Sequence, residues 1–363
     1  MTVRASAVMV MLVSVAACSA PAADKNAEKK DLPPVNPKAT TLRDGFATMD
    51  RLVEAARAEG ALTVVGLPRG WVNYGEIIDR FSDKYGVKVT GVSPDASSQQ
   101  EIDAAGGPQG VPDVFDLSLD VAVANAKRFA PYKVTDWTDI PDRLKDPKGL
   151  WYAGYGGYMS IGYNPRKMTA PASYAALLKP GNLVALPGDP LRTASAFSGV
   201  MAASLSGGKP DAARGVDFFA QLKKAGMLTQ PDRATSLLDW DYLNTARAVH
   251  QQAAEHDKQA WQVTIPRDAV LASYYVQAIN VNAPHPAAAR LWEEFLLSDE
   301  GQNLYLKGFA RPSRMEAMEM RGTIDKDAAG KLAPVTGTPV VLTIPEQDQA
   351  KSYLKAHWPQ TVG

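Results

Sequence analysis

Hydrophobic residues recur every three or four positions over residues 48–60 and predict an amphipathic helix that ends at Gly60. The following residues, 61–66, are apolar and β-branched and predict a strand. A second helical pattern, with Ile77, Ile78 and Phe81 on one side, leads to another predicted strand at 87–92. Helices and strands that alternate at this pace predict an α/β fold, in which the loops at the strand ends form the ligand crevice.

The alternation continues along the chain and then restarts. Residues 150–164 are aromatic and interrupted by glycines, which is typical of a long strand with breaks. The pattern begins again after residue 171 and predicts a second lobe. The other predicted elements are strands at 112–117, 183–186, 262–265 and 273–280, and helices at 101–105, 194–205, 216–225, 287–297, 298–308 and about 346–357.

The length of the chain also predicts two lobes, because roughly 320 ordered residues exceed what one hydrophobic core usually serves. The predicted division is a signal peptide at 1–17, a lipidated tether at 18–41, lobe 1 at 42–160 and 263–363, and lobe 2 at 161–262.

The N-terminus carries a targeting pattern. Arg4 precedes an apolar run at residues 5–17, which is typical of a secretory signal peptide and too short for a membrane-spanning helix of about 20 residues. The run ends at Cys18, the only cysteine among 363 residues. The letters VAAC resemble a bacterial lipobox, whose cysteine is acylated. An ordinary signal peptide with a cysteine near its cleavage site is the alternative.

Composition and charge exclude several partners. The chain has 39 basic and 39 acidic residues, which gives no electrostatic reason to expect nucleic acid or an acidic membrane surface as a partner.

Motifs of enzymes and cofactor sites are missing from the sequence. Ser198 lies outside any G-x-S-x-G motif, and no phosphate-binding or dinucleotide motif is present. Asp113, Asp116 and Asp120 are interpreted as turn and cap residues. The four histidines lack metal-ligand spacing, so neither a cofactor nor a metal is predicted.

Several stretches taken in order resemble a known family. They include LVEAARAEGALTVVG, PDVFDLSLDVAVANAKRFAPY, WYAGYGGYMSIGYNP, LDWDYLN and NAPHPAAARLWEEFLLSDEGQNLYLKGFARP, within residues 48–314. This set is similar to the solute-binding lipoproteins of ABC importers, in the type II group that includes ferric, polyamine, thiamine and phosphonate binders. The resemblance implies a two-lobed type II periplasmic-binding-protein fold with crossing hinge strands.

The resemblance also implies how the protein works. A small-molecule solute is held between the lobes of a monomer and delivered to ABC permease and ATPase subunits. Lipid on Cys18 would hold this receptor in the periplasm or on the outer face of the cell membrane. Matching the family's ligand-contacting loops onto this chain nominates Trp71, Tyr74, Ser97, Ser98, Tyr155, Tyr158, Thr193, Ser195, Trp240, Asp241, Tyr242 and Tyr274.

The nature of the solute stays open at this stage. Aromatic rings and the carboxylate of Asp241 suit an organic cation such as a polyamine. A hinge hydrogen bond or helix cap is the alternative for Asp241, and cross-strand packing is the alternative for the tyrosines. Amides near Ser97 and Thr193, with Arg192 or Arg69 nearby, suit a phosphonate or phosphate ester instead.

Three further possibilities have less support. Ferric iron would need adjacent tyrosines, but Tyr274 and Tyr275 fall in a predicted strand, where neighbouring side chains point to opposite faces. An enzyme on the same fold lacks the expected motifs. A surface adhesin or sensor lipoprotein is the remaining alternative.

Overall fold

The structure is a computed structural model that describes residues 32–106, 111–255 and 261–363. The predicted signal peptide and the lipidation of Cys18 lie outside these ranges and stay predictions. Residues from Val35 onward belong to one unit, in which helices cover a large mixed sheet.

The helices and strands follow the alternation expected from the sequence. The helices are α1 (Leu42–Phe46), α2 (Met49–Glu59), α3 (Tyr74–Tyr85), α4 (Ser98–Ala104), α5 (Leu119–Ala124), α6 (Ala194–Ser204), α7 (Ala212–Lys224), α8 (Asp241–Glu255), α9 (Pro286–Leu296), α10 (Asp299–Lys307), α11 (Met315–Arg321), α12 (Lys326–Ala329) and α13 (Ile344–Thr361). The strands are β1 (Ala61–Val65), β2 (Lys88–Val92), β3 (Val114–Ser118), β4 (Phe129–Ala130), β5 (Tyr152–Tyr163), β6 (Val184–Ala185), β7 (Ser236–Trp240), β8 (Gln262–Thr264), β9 (Leu271–Asn280), β10 (Arg311–Pro312) and β11 (Val340–Val341). Within the described ranges, no helix is long and apolar enough to cross a membrane.

Local sequence fixes several of these boundaries. The side chain of Thr48 accepts a hydrogen bond from the amide of Arg51 and begins α2, and Gly60 ends that helix with a φ of 75°. Ser298 caps α10 by accepting from the amide of Gly301. These caps confirm the predicted ends of both helices.

The sheet has two ends joined by two long strands. Its order is β2-β1-β3-β9-β5-β7-β6. Strands β1, β2 and β3 are parallel at one end, and β6 and β7 are parallel at the other. Between them, β9 and β5 pair antiparallel to each other and to their outer neighbours. The fold is therefore the two-lobed type II periplasmic-binding-protein architecture, with β5 and β9 as the crossing strands.

Two glycines of β5 allow close packing, Gly156 against β9 and Gly157 against the start of α8. A Cβ atom on Gly156 would lie 2.4 Å from a ring carbon of Tyr274, and one on Gly157 would lie 2.6 Å from a ring carbon of Tyr242. Since real Cβ atoms do not approach carbon this closely, only glycine fits at either position. The glycine interruptions seen in the sequence of β5 are thus packing requirements of the hinge region.

Both ends of the described chain differ from the sequence-based expectation. The last residues of the predicted tether are packed, since Ala39 is buried and its carbonyl accepts a hydrogen bond from Arg290 at 2.8 Å. The C-terminal helix α13 is longer than the predicted 346–357 and packs on α7. The lobe boundaries stay a prediction. They assign α13 to lobe 1, whereas its packing partner α7 lies in the range assigned to lobe 2.

Candidate functional site

A cavity of about 610 Å³ lies beside β9, at the carboxyl ends of β3 and β7. Its position matches the crevice that an α/β arrangement predicts at strand ends. Its wall comes from the start of α5, the start of α6, the end of β7, the first half of β9 and the C-terminal segment. The lining residues are Ser118, Leu119, Asp120, Pro190, Leu191, Arg192, Thr193, Ala194, Phe197, Ser198, Trp240, Leu271, Ala272, Ser273, Tyr274, Tyr275, Val341, Leu342, Gln347, Lys351, Leu354 and Lys355.

The start of helix α6 is part of this wall. Thr193 is its N-cap residue, and the side chain of Thr193 makes no capping hydrogen bond. The first amide groups of a helix lack intrahelical partners and carry a partial positive charge. Because Thr193 and Ala194 both line the cavity, these amides favour a negatively charged group there.

The charged side chains of the cavity wall are mostly cationic. Arg192, Lys351 and Lys355 line it together with one carboxylate among the described residues, that of Asp120. Lys351 Nζ lies 2.7 Å from Asp120 Oδ2. Burial acts to raise the pKa of Asp120, but hydrogen bonds from Lys351 and Ser118 outweigh it and lower the pKa. Asp120 is therefore ionised and already paired.

An aromatic cluster adjoins the cavity and contains Trp71, Tyr74, Tyr155, Tyr242, Tyr275 and Tyr305, of which Trp71 and Tyr275 are half-buried. Trp71 Nε1 donates to the hydroxyl of Tyr155 at 2.8 Å, and that hydroxyl donates to Asp116 Oδ2 at 2.8 Å. The rings of Tyr155 and Tyr275 stack with centroids 5.4 Å apart. These contacts join β3, β5 and β9 to the loop after β1.

The interpretation of Asp116 as a turn or cap residue is wrong. Asp116 lies inside β3, is 3% exposed, and also accepts a hydrogen bond from Gln277 Nε2 at 2.6 Å. Burial raises its pKa to about 7, although the hydrogen bonds from Tyr155 and Gln277 act to lower it. Asp113 is also buried and accepts hydrogen bonds from the amides of Thr63 and His285.

Asp241 is held by two contacts within the hinge region. Its Oδ1 accepts a hydrogen bond from the amide of Tyr158 at 2.8 Å, and its Oδ2 lies 2.9 Å from Arg311 Nε. The Asp241 side chain is 1% exposed and that of Arg311 is 13% exposed. This geometry favours the hinge hydrogen bond over a ligand contact. A role in solute binding stays a prediction.

The other nominated residues separate into three groups. Thr193, Trp240 and Tyr274 line the cavity. Trp71, Tyr74, Tyr155 and Tyr242 belong to the aromatic cluster. The rest have structural contacts: Ser97 caps α4, Ser98 Oγ accepts from the amide of Ser118, Ser195 hydrogen-bonds to Asp239, and Tyr158 lies under the guanidinium of Arg311.

The nominated set omits the cavity residues of the C-terminal helix. Gln347, Lys351, Leu354 and Lys355 are spaced so that they share one helical face. That spacing was visible in the sequence, but nothing local indicated that this face would meet the cavity. Arg69, considered as an anion contact, is exposed and paired with Asp79 at 2.5 Å.

Within residues 32–106, 111–255 and 261–363, no group of three or more His, Cys, Asp or Glu side chains is placed to hold a metal ion. Tyr274 and Tyr275 both line the cavity, although the ring of Tyr275 stacks on Tyr155.

Solved structures share the fold at low sequence identity. A putative extracellular solute-binding protein from Bordetella parapertussis has a TM-score of 0.63 and 15% identity, covering 84% of this chain and 100% of its own. A putative spermidine/putrescine ABC transporter protein from Listeria monocytogenes has a TM-score of 0.56 and 15% identity, covering 82% and 99%. AfuA from Actinobacillus pleuropneumoniae, with fructose-6-phosphate bound, has a TM-score of 0.58 and 16% identity, covering 84% and 98%.

Sequence comparison gives the family itself. No curated protein sequence matches the chain significantly. The family model described as bacterial extracellular solute-binding protein matches residues 110–331, more than half of the chain. That range includes the crossing strands and most of the cavity wall. The chain therefore belongs to the bacterial extracellular solute-binding protein family, whose members serve transport of the ABC type.

Proposed function

We propose that this protein captures a small anionic solute in the cavity and delivers it to the permease and ATPase of an ABC importer. The capture of a solute for transport follows from the family. The sign of the solute's charge is the added step, and it rests on the cavity wall. Similarity of fold does not give the charge of the solute, because the similar structures are named for cationic solutes in one case and an anionic solute in another.

The single observation that carries the proposal is the charge of the wall. Arg192, Lys351 and Lys355 face one carboxylate among the described lining residues, and Lys351 already neutralises that carboxylate. The side chain of Arg192 is 87% exposed, and its ion pair with Asp189 is long, with 3.9 Å between Arg192 Nε and Asp189 Oδ2. The start of α6 adds to the same potential.

The size and apolar surface of the cavity suit a small organic molecule. Ligand pockets are typically about 300–1,000 Å³ and mostly apolar, with a few polar groups that fix orientation. Phe197, Trp240 and Tyr274 provide aromatic surface beside the cationic groups. This combination suits a phosphate ester, a phosphonate or an organic carboxylate.

A polyamine was the first expectation from the sequence, and it stays an untested prediction. A free carboxylate would supply charge-assisted hydrogen bonds to a cation. Asp241, the residue nominated for that purpose, is ion-paired with Arg311. The geometry therefore supports the anionic alternative better than the cationic one.

The remaining parts of the proposal concern the setting of the receptor. Lipid on Cys18 would keep the protein beside its permease, and a monomer would be sufficient for capture. We expect no catalytic activity. Mass spectrometry of the membrane-extracted protein, looking for an acylated N-terminal cysteine, tests the anchor.

Thermal unfolding with a solute panel tests the solute class. A ligand at 100 times its Kd stabilises the folded state by about 2.7 kcal/mol. We expect fructose 6-phosphate, glycerol 3-phosphate, a phosphonate or a dicarboxylate to raise the Tm, and spermidine and putrescine to leave it unchanged.

A matched pair of variants locates the effect. Arg192→Gln should weaken binding of the active anion, whereas Arg69→Gln should not, because Arg69 is paired with Asp79 away from the cavity. A Tm rise with polyamines alone would overturn the anionic proposal.

A further inference from the structure

Helix α13 forms one side of the cavity, although it lies beyond residues 110–331 that match the family model. Gln347, Lys351 and Lys355 follow each other at four-residue intervals and line the cavity together. Residues at this spacing share one face of a helix. A segment outside the matched range therefore contributes directly to the candidate solute site.

The position of α13 is fixed by the packing of its apolar residues. Leu354 is fully buried, Trp358 is 7% exposed, and the ring centroid of Trp358 lies 5.5 Å from that of Phe219 in α7. Thr343 and Glu346 form a capping box at its start. The preceding strand β11 pairs with the first residues of β9. The cavity-facing side of α13 is thus held in place by the rest of the fold.

Among the described residues that line the cavity, two of the three cationic side chains come from this helix. Lys351 contacts Asp120 in α5, so the ion pair links two elements of the cavity wall. Lys355 makes no ion pair or hydrogen bond with any described residue. One lysine is thus already neutralised by a carboxylate, and the other is available to a solute.

We infer that Lys351 and Lys355 of α13 are solute-contacting residues that select a small molecule bearing a phosphate or carboxylate group. The inference rests on the proposed function above and adds the residues that set its charge preference. An anionic group that enters the cavity competes with Asp120 for the ammonium of Lys351 and gains a second donor from Lys355. The C-terminal helix thereby completes the solute site.

Isothermal titration of the purified protein tests this with phosphate monoesters (glycerol 3-phosphate, fructose 6-phosphate), inorganic phosphate and the dicarboxylate malate as probes. We expect Lys351→Gln and Lys355→Gln each to weaken binding of the anion by about 10-fold, as expected for loss of one charge-assisted hydrogen bond. Lys224→Gln, at an exposed lysine on α7 outside the cavity, is the matched control and should leave binding unchanged. The phosphate and malate arms show which anionic group the site accepts.

Asp120→Asn separates a solute contact from a purely structural link. If Lys351 binds solute, removing its competitor strengthens anion binding by a few-fold, opposite to Lys351→Gln. If Lys351 only links α13 to α5, both variants weaken binding alike, and its assignment is wrong.

Two further outcomes are distinguishable. Unchanged affinity in both lysine variants, with anion binding intact in the wild type, overturns this inference alone. A wild-type protein that binds none of the anions overturns the proposed solute class and this inference with it.

Discussion

The aromatic cluster adjoins the cavity wall and shares Tyr275 with it, but the charged groups of the two regions have different surroundings. In and around the cluster, Asp116 and Asp241 are almost fully buried, and each accepts hydrogen bonds from two different residues. In the cavity, Arg192 and Lys355 are exposed and have charge available. The acidic groups in and around the cluster are thus occupied by protein contacts, whereas these two cations of the cavity wall are exposed to solvent.

The largest effect that would test this comparison is expected from Asp241→Ala. It leaves the nearly buried guanidinium of Arg311 without its partner, and breaking a buried ion pair in this way costs about 3–5 kcal/mol. Urea denaturation should show the loss of stability in the absence of any solute. Asp268→Ala, at an exposed carboxylate, serves as the control. Normal stability with lost solute binding would instead return Asp241 to the role first expected from the sequence.

The second prediction concerns pH. The pKa of Asp116 is raised from its ordinary 3.8 to about 7, so the folded protein keeps this proton where the unfolded chain has lost it. The contribution of Asp116 to the free energy of unfolding is therefore full below pH 3.8 and is lost as the pH rises toward 7. One pKa unit corresponds to about 1.4 kcal/mol, so this contribution is at most about 4 kcal/mol.

Denaturation of Asp116→Asn between pH 4 and 8 measures this contribution. The stability of Asp116→Asn should fall less steeply between pH 4 and 8 than that of the wild type. Asp95→Asn, at an exposed position, should show the same fall as the wild type. An identical decline in the wild type and Asp116→Asn would mean that this carboxyl does not titrate within the cluster.

A smaller effect is expected from Gly157→Ala in β5. The new Cβ would lie 2.6 Å from Tyr242 and 2.7 Å from Asp241 Oδ1, and overpacking of this kind costs about 1–3 kcal/mol. Gly70→Ala is the control, because no atom lies within 4 Å of the position that its new methyl group would take. Equal Tm values for the two variants would show that the contact between β5 and α8 accommodates an extra methyl group more easily than the structure indicates.

The smallest effect is expected from Lys351→Gln on stability. Its side chain is 48% exposed, so solvent screening limits the contribution of the ion pair with Asp120 to less than about 1 kcal/mol. Chemical denaturation should therefore show a nearly unchanged protein. A fall of several kcal/mol in the free energy of unfolding would show that Lys351 has a structural role, like Asp116 and Asp241.

Features that depend on neighbouring residues could be predicted from the sequence, whereas features that depend on residues distant in sequence could not. The alternation of helices and strands, the caps at Gly60 and Ser298, and the long glycine-interrupted strand β5 are local patterns, and they predicted the fold. The environment of Asp116 depends on Gln277 and Tyr155, which are distant in sequence, so local spacing suggested a turn. The lysines of α13 look like an ordinary solvated helical face until the tertiary structure brings that face to the cavity.

Trp240 gives the protein a built-in optical reporter. It lines the cavity, is 6% exposed, and lies parallel to Tyr242 with ring centroids 6.4 Å apart. Indole emission depends on the polarity around the ring, so filling of the cavity should change the emission of Trp240. Trp71, hydrogen-bonded to Tyr155 inside the cluster, should emit alike in both states. Occupancy can thus be followed by intrinsic fluorescence without attaching a dye.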